Sequence, residues 1–546
     1  IRRTCWMATV CWVTGGGRVR GGAGRGGGRG TACRHPTFAG RPGAGQLFSA
    51  LAAGAHVYNR AMRLPRHSTF SRRAFCLLAL ALAGCGGGGG DGGPATATAA
   101  PTAVVAQAGT PGIEVPAPAA AASGLVAVPP AVPVLPRAGL APADLAVLVA
   151  QGDPLSEAVA LAYQQARGIP AANIIRVAVP GGSDSISDSD FATLKAAIDA
   201  QIPAGVQASL VTWTQPSRVQ GSGCAMGITS ALAFGYNPVL CGGCARTQAS
   251  AYYDTDTTRP WTDLRIRPSM MLGAATLDAA QALIARGLAA EGTAPTGTGW
   301  LVRTADAARS VRWPDYPALP GQWADAPGLA LRYLDASAPG TPQEVTGQSD
   351  VLFYFTGAVR LAALDSNRFL PGAVADHLTS YGGHLPGARG QMPATAWLAA
   401  GATASYGTVE EPCNHVDKFP RASVLLDHYV RGATVIEAYW KSVARPGQGL
   451  FLGDPLARPW AHTPTATVEG DGVVMRTRAL RRLTSYQVQY QAPGSSQWQV
   501  LGSLSAGQPR LVIWRVPLPP GAIGGRLRWL GPCPLRPVDR CVLAEG

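Results

Sequence analysis

Between Asp350 and Trp460 the chain gathers side chains able to do chemistry. Asp376, His377 and Ser380 stand close together, with His384 just beyond. A hydroxyl becomes a nucleophile when an imidazole takes its proton and a carboxylate steadies that imidazole. Ser380 with His377 or His384 is one candidate pair, and Asp376 a candidate orienting acid. On a strand, however, neighbours face opposite sides, so Asp376 and His377 should not share a face. Cys413 offers a thiol, with His415 or His384 as its base. Glu410 and Glu411 beside it raise a thiol's pKa, which works against a thiolate. Glu410, Glu411, His415 and Asp417 also carry metal-ligating atoms, but the expectation adopted is a site with no metal and no cofactor. Asp454, in Gly453-Asp454-Pro455, is expected only to form a turn.

These residues need elements to position them. From Leu145 to Val149 an apolar run suits a buried strand. Asp153-Pro154 can open a helix that Gly168 and Pro170 stop. Ile174 to Val179 predicts a second strand. Ser187 caps a helix carrying Phe191, Leu194 and Ile198 on one face. Leu210 to Trp213, Trp300 to Val302 and Asp350 to Phe355 continue the strands. Strands alternating with helices predict an α/β fold with a mostly parallel sheet flanked by helices. No G-x-G-x-x-G follows the first strand, which excludes a dinucleotide fold. Asp306 and Arg309 come at the carboxyl end of a predicted strand, where parallel sheets build sites. They are candidate site residues, with an Asp–Arg salt link as the plainer role.

Residues 217–262 interrupt the alternation. Cys241-Gly-Gly-Cys244 has the spacing of a zinc knuckle or redox motif but lacks an evident fourth ligand or a strand-to-helix turn. The expectation is a loop stapled by one disulfide, with Cys224 as a candidate partner. Asp254 and Asp256 are expected in a solvated turn. After about Thr463 the period changes to two, as in Tyr486-Gln487-Val488-Gln489-Tyr490, and predicts a small C-terminal all-β sandwich resembling a fibronectin type III domain. Cys533 and Cys541 are expected to close a short disulfide loop.

The formal charge of +14 is unevenly spread. Of 46 basic residues, 13 arginines lie in residues 1–85, which hold no acid; the remaining 33 face 32 acidic residues. A charge-driven nucleic-acid function is therefore excluded for the folded part. Residues 1–61, Arg/Gly-rich and without hydrophobic periodicity, are expected to be upstream translation or disordered. An export signal is expected over residues 62–85. Arg63, Arg66, Arg72 and Arg73 precede an apolar segment from Phe75 to Gly84, too short to span a bilayer. Leu82-Ala83-Gly84-Cys85 resembles the lipobox of bacterial lipoproteins, which implies lipidation at Cys85. Ser71-Arg72-Arg73 resembles a twin-arginine export motif. Residues 86–136 form a Gly/Ala/Pro tether.

Several segments resemble a family of uncharacterised bacterial secreted proteins from genomes that encode the exosortase sorting system. They are Ser156 to Pro170, Arg267 to Leu272, LPGAVADHLTSYGG, GATASYGTVEEPCN, KFP and GDPLARP. More distantly, residues 137–462 resemble caspase-like, gingipain-type peptidases, with sub-parts of about 137–310 and 311–462. That resemblance implies a His-Gly after one central strand and a nucleophilic Cys after the next. Here Thr356-Gly357 stands at the first place, and no Cys stands near Ser380. The expectation is an exported envelope lipoprotein, anchored to a membrane on the periplasmic side, with another envelope protein as its candidate partner. Its caspase-like fold would be degenerate and non-catalytic. The alternative is a peptidase-like envelope hydrolase using residues near Asp376–Ser380 or Cys413.

Overall fold

The computed structural model describes residues 128–507 and 510–546. The basic leader, the export signal with Cys85 and most of the tether lie outside the described residues.

The chain enters its main sheet at β1 (Leu145–Ala150), whose six residues are all buried. Such a strand is covered on both faces, and helices supply the cover. Helix α1 (Pro154–Arg167) starts where Asp153 accepts the Leu155 amide at 3.0 Å, and ends at Gly168, whose φ of +64° suits glycine. It buries Val159, Ala160 and Tyr163. Helix α2 (Asp188–Asp199) is capped by Ser187 and buries Phe191, Leu194 and Ile198. Further strands are β2 (Ile174–Val177), β3 (Ala208–Val211), β4 (Ser269–Met271), β5 (Gly297–Arg303) and β6 (Leu329–Asp335). β7 (Val351–Gly357), β8 (Phe369–Leu378), β9 (Ala404–Thr408) and β10 (Gly449–Gly453) complete the sheet. Helices α3 (Leu277–Ala290), α4 (Ala422–Val430) and α5 (Val435–Ser442) pack on it.

Among the described residues the sheet order is β2-β1-β3-β4-β10-β9-β8-β7-β5-β6. Every neighbouring pair is parallel except β9 and β10, which run antiparallel from Ala404↔Gly453 to Thr408↔Gly449. The sheet is thus two parallel halves joined head to tail. Their carboxyl ends open on opposite edges. Those of β5, β7, β8 and β9 share one edge, and that of β10, which leads into Asp454, lies on the other.

The C-terminal part is all β, as its period of two predicts. One antiparallel sheet pairs β11 (Thr465–Glu469), β12 (Gly472–Thr477) and β15 (Val512–Pro517). The other pairs β13 (Ser485–Gln491), β14 (Gln499–Ser505), β16 (Arg526–Pro532) and β17 (Arg540–Glu545). Val473, Met475, Val488, Val516, Leu527 and Trp529 meet between them. The last residues assigned by composition to the tether join this core. Ala131 bridges to Arg526, and Leu135 is buried beside Tyr486 and Trp529. Val132 and Leu135 supply apolar area that Gly and Ala alone lack.

Candidate functional site

The carboxyl edge of β5, β7, β8 and β9 brings together the residues singled out above. Its first feature is the segment leaving β5. The Thr304 amide donates to the Ser310 hydroxyl oxygen at 2.9 Å, and the Thr304 hydroxyl donates to the Gly357 carbonyl. This loop lies hard against the end of β7: a Cβ on Gly357 would sit 2.0 Å from the Arg309 carbonyl oxygen. Thr356 is fully buried, and its hydroxyl has no partner among the described residues. Where the resemblance implies an accessible His-Gly, the chain has a buried Thr-Gly roofed by its own loop.

Two arginines of this loop span the strand ends. Arg309 pairs with Asp306 at 2.7 Å and donates Nε to the Thr379 hydroxyl at 3.2 Å. Thr379 donates onward to Gln391 Oε1 at 2.8 Å, which also accepts the Tyr381 amide. Arg312 is buried and donates Nη2 to the Thr356 carbonyl at 2.8 Å and Nη1 to the Pro420 carbonyl at 3.1 Å. Its Nη1 lies 2.6 Å from Asp376 Oδ1. Among the described residues nothing else meets the Asp376 carboxylate; burial pushes its pKa up to about 6 although Arg312 pulls the other way.

Asp376 and His377 face opposite sides of β8, as the strand period requires. His377 therefore has no carboxylate partner. Its Nδ1 accepts the Trp397 indole N–H at 2.9 Å, and its Nε2 faces the Met392 carbonyl at 3.0 Å. These contacts define the neutral Nε2–H tautomer. Burial pushes its pKa down to about 4. With both ring nitrogens engaged, it cannot serve Ser380 as a base. Ser380 itself is half-buried in the turn after β8, where its carbonyl accepts the Thr408 hydroxyl at 3.0 Å. Neither His377 nor His384 hydrogen-bonds its hydroxyl among the described residues. His384 is buried with neither ring nitrogen hydrogen-bonded among the described residues, and Asp184 Oδ2 is 3.8 Å from its Nε2.

Cys413 has no thiol: it is joined to Cys244 in a disulfide, which removes it as a nucleophile. The 217–262 loop has the expected internal staple, with Cys224 as the partner, and a second bond that leaves the loop. Cys241 pairs with Cys224, and Cys244 reaches across 169 residues of sequence to Cys413. Cys533 and Cys541 form a third disulfide. Glu410 accepts the Gly243 amide at 3.2 Å, Glu411 accepts the Cys413 amide at 2.8 Å, and His415 Nε2 meets the Cys244 carbonyl at 2.8 Å. These side chains sew one loop to another. Among the described residues no three His, Cys, Asp or Glu side chains gather as a metal site.

The roles of Asp454, Asp254, Asp256, Arg481 and Arg312 escaped sequence reasoning. Asp454 does more than make a turn. It is fully buried, accepts Tyr163 Oη at 2.7 Å and pairs with Arg167. A Cβ on Gly287 of α3 would sit 1.8 Å from its Oδ2, so glycine makes room for it. Asp254 and Asp256 are not in a solvated turn. Arg481, in the chain between β12 and β13, donates to both, at 3.1 and 2.9 Å, and joins the sandwich to the α/β part. Arg312 carried no signal beyond an arginine in SVRWP.

Together these features define an α/β protein with a mostly parallel sheet, a closed carboxyl edge and an appended β-sandwich. No family model matches the chain, and no curated protein does. A solved structure titled "Structure of Protease" aligns with 75% of this chain and 98% of its own, at 12% identity and a TM-score of 0.34. At that score the likeness carries no argument about this chain's activity.

Proposed function

We propose that this chain is an exported, lipid-anchored envelope protein whose α/β part works as a non-catalytic binding or assembly module. The observation that carries this reading is the edge itself. Arg309 and Arg312 bind the strand ends internally, at Thr379 and at Thr356 and Asp376, where a peptidase of the resembled type keeps its base and nucleophile. Three disulfides suit an oxidising compartment, in keeping with export. Among the described residues no helix is long and apolar enough to cross a membrane. The lipobox-like Leu82-Ala83-Gly84-Cys85 is what supports attachment at Cys85. The resemblance to proteins of exosortase-carrying bacteria makes another envelope protein the natural partner.

One observation favours a hydrolase instead: the unpaired ring of His384, which follows Ser380 by one turn of chain and lies near Asp184. The two readings separate on labelling the full-length protein with serine- and cysteine-directed activity probes. The module predicts no label that depends on Ser380; a label lost in Ser380→Ala and in His384→Ala together would establish the hydrolase. Cys85→Ala should abolish incorporation of radiolabelled lipid, and retention of the lipid would remove the anchor.

A further inference from the structure

The segment leaving β5 also walls a cavity. Val311 to Asp315 forms one side, residues 416–422 the other, and Tyr253, Ser442 and Ala444 complete the wall of a half-open cavity of about 290 Å³. Its place in the topology is telling. From β5 the chain goes outward to β6 and then returns to β7 on the other side. In open α/β sheets ligands settle outside the strand carboxyl ends where the strand order reverses in this way. Arg312 lines the cavity while holding the ends of β7 and β8, so the space adjoins the closed edge without opening it.

The lining selects for a kind of ligand. Val311, Pro314, Val416, Phe419 and Pro420 are apolar, and a cavity of this size approaches the lower end of ordinary small-molecule pockets, roughly 300 Å³. Four charged groups face it. Arg312 is engaged with Asp376 and two carbonyls. Asp315 is saturated, taking Arg421 Nε at 3.0 Å, the Ser423 amide at 2.9 Å and the Ser423 hydroxyl at 2.8 Å. Asp417 pairs with Arg445 at 3.3 Å and is half in solvent. Arg421 remains. Its side chain is 59% exposed, its Nε is bound to Asp315, and the guanidinium also meets the Tyr253 side chain, with no second carboxylate on it among the described residues. A guanidinium has five donors, so one that spends a single nitrogen on a carboxylate still has donors to offer a second carboxylate.

We propose that this cavity binds a small carboxylate with an apolar body. The body fills the space between Phe419, Pro314 and Pro420, and the carboxylate takes the terminal nitrogens of Arg421. The site is independent of whether the strand edge is catalytic.

Three matched probes test it on the full chain by isothermal titration: phenylpropionate, its amide, and phenylpropylamine. Phenylpropionate should bind saturably, about tenfold tighter than the amide, as expected for one charge-assisted contact. Arg421→Gln should bring the acid down to the amide's affinity. Val416→Trp, at an exposed rim position, should block acid and amide alike; an unchanged thermal midpoint confirms that each variant is folded. Equal binding of acid and amide overturns the proposal. So does tighter binding of the amine, which would give the site to Asp417, and so do binding that survives Val416→Trp and an absence of saturable binding by the acid.

Discussion

Asp376, buried at the strand edge, and Asp256, largely withdrawn from solvent at the seam between the α/β part and the sandwich, are both carboxylates beside arginine. Burial raises both pKa values, yet they end on opposite sides of normal. Among the described residues Asp376 has one cation, Arg312, and no other partner, and it rises to about 6. Asp256 is also raised by burial, but Arg431 at 2.7 Å and Arg481 at 2.9 Å overcome that and hold it far below its ordinary 3.8. His428 completes the seam as a neutral ring. Its Nε2–H donates to Asp254 at 3.0 Å, its Nδ1 accepts from Arg431 at 2.9 Å, and burial keeps its pKa well under 6.5. One buried cation does not offset the desolvation of a carboxylate, whereas two with hydrogen bonds do. The seam is therefore fastened by its charges. The edge tolerates its charge and is held by the carbonyl bonds of Arg312.

The largest effect is expected at the seam. Arg481→Ala leaves Asp254 and Asp256 short of a cation and should cost about 3–5 kcal/mol in chemical denaturation. It should also expose the chain between β12 and β13 to limited proteolysis. Loss of under about 1 kcal/mol would mean that apolar packing around Tyr486 and Trp529, not charge, holds the sandwich. Next comes the edge. Arg312→Ala strands Asp376 and unties the Thr356 and Pro420 carbonyls, and should cost about 3 kcal/mol. Asp376→Asn keeps the shape, removes the unfavourable charge, and should cost under about 1 kcal/mol or stabilise. Equal costs for these two would erase the contrast with Asp256.

The same contrast has a pH signature. A carboxylate with a raised folded pKa contributes stability that is complete below its unfolded value and is lost as pH rises through the folded one. For Asp376 that window runs from near 3.8 to about 6. The stability of wild type minus that of Asp376→Asn should fall by about 2–3 kcal/mol across it. Asp256 has the reverse sign: its contribution is complete above 3.8 and is lost as pH falls below that value. Asp256→Asn should therefore flatten the acid limb of the curve and leave pH 4 to 6 unchanged. A difference that rises with pH for Asp376→Asn would contradict the partnering described at the edge.

Much of the frame was legible in the sequence because it follows from local periods. Caps at Asp153 and Ser187, the α/β alternation and the switch to period two after Thr463 all appear as elements. So does the separation of Asp376 from His377 on β8. The rest depends on contacts distant in sequence. β9 and β10 are buried on both faces, and such a strand carries the same apolar run whichever way it points, so their antiparallel join was invisible. The Cys244–Cys413 bond spans most of the α/β part, and local spacing favoured the nearer thiols. Arg312, Asp454 and Asp256 have ordinary neighbours in sequence; only the fold buries them and supplies their partners.

The smallest expected effect falls on the residue that first looked most reactive. Ser380 is half-buried, its carbonyl serves Thr408, and its hydroxyl has no histidine partner. Ser380→Ala should change stability by no more than about 0.5 kcal/mol, the usual range for a surface substitution. Thr379→Val sits next to it but removes a hydroxyl that links Arg309 to Gln391, so about 1–2 kcal/mol is expected there. The pair tests what the edge is for. If its polar groups hold the strand ends together, the cost follows the internal hydrogen bonds and is larger at Thr379. A functional loss confined to Ser380→Ala, with stability intact, would show instead that the turn after β8 still acts on something outside the protein.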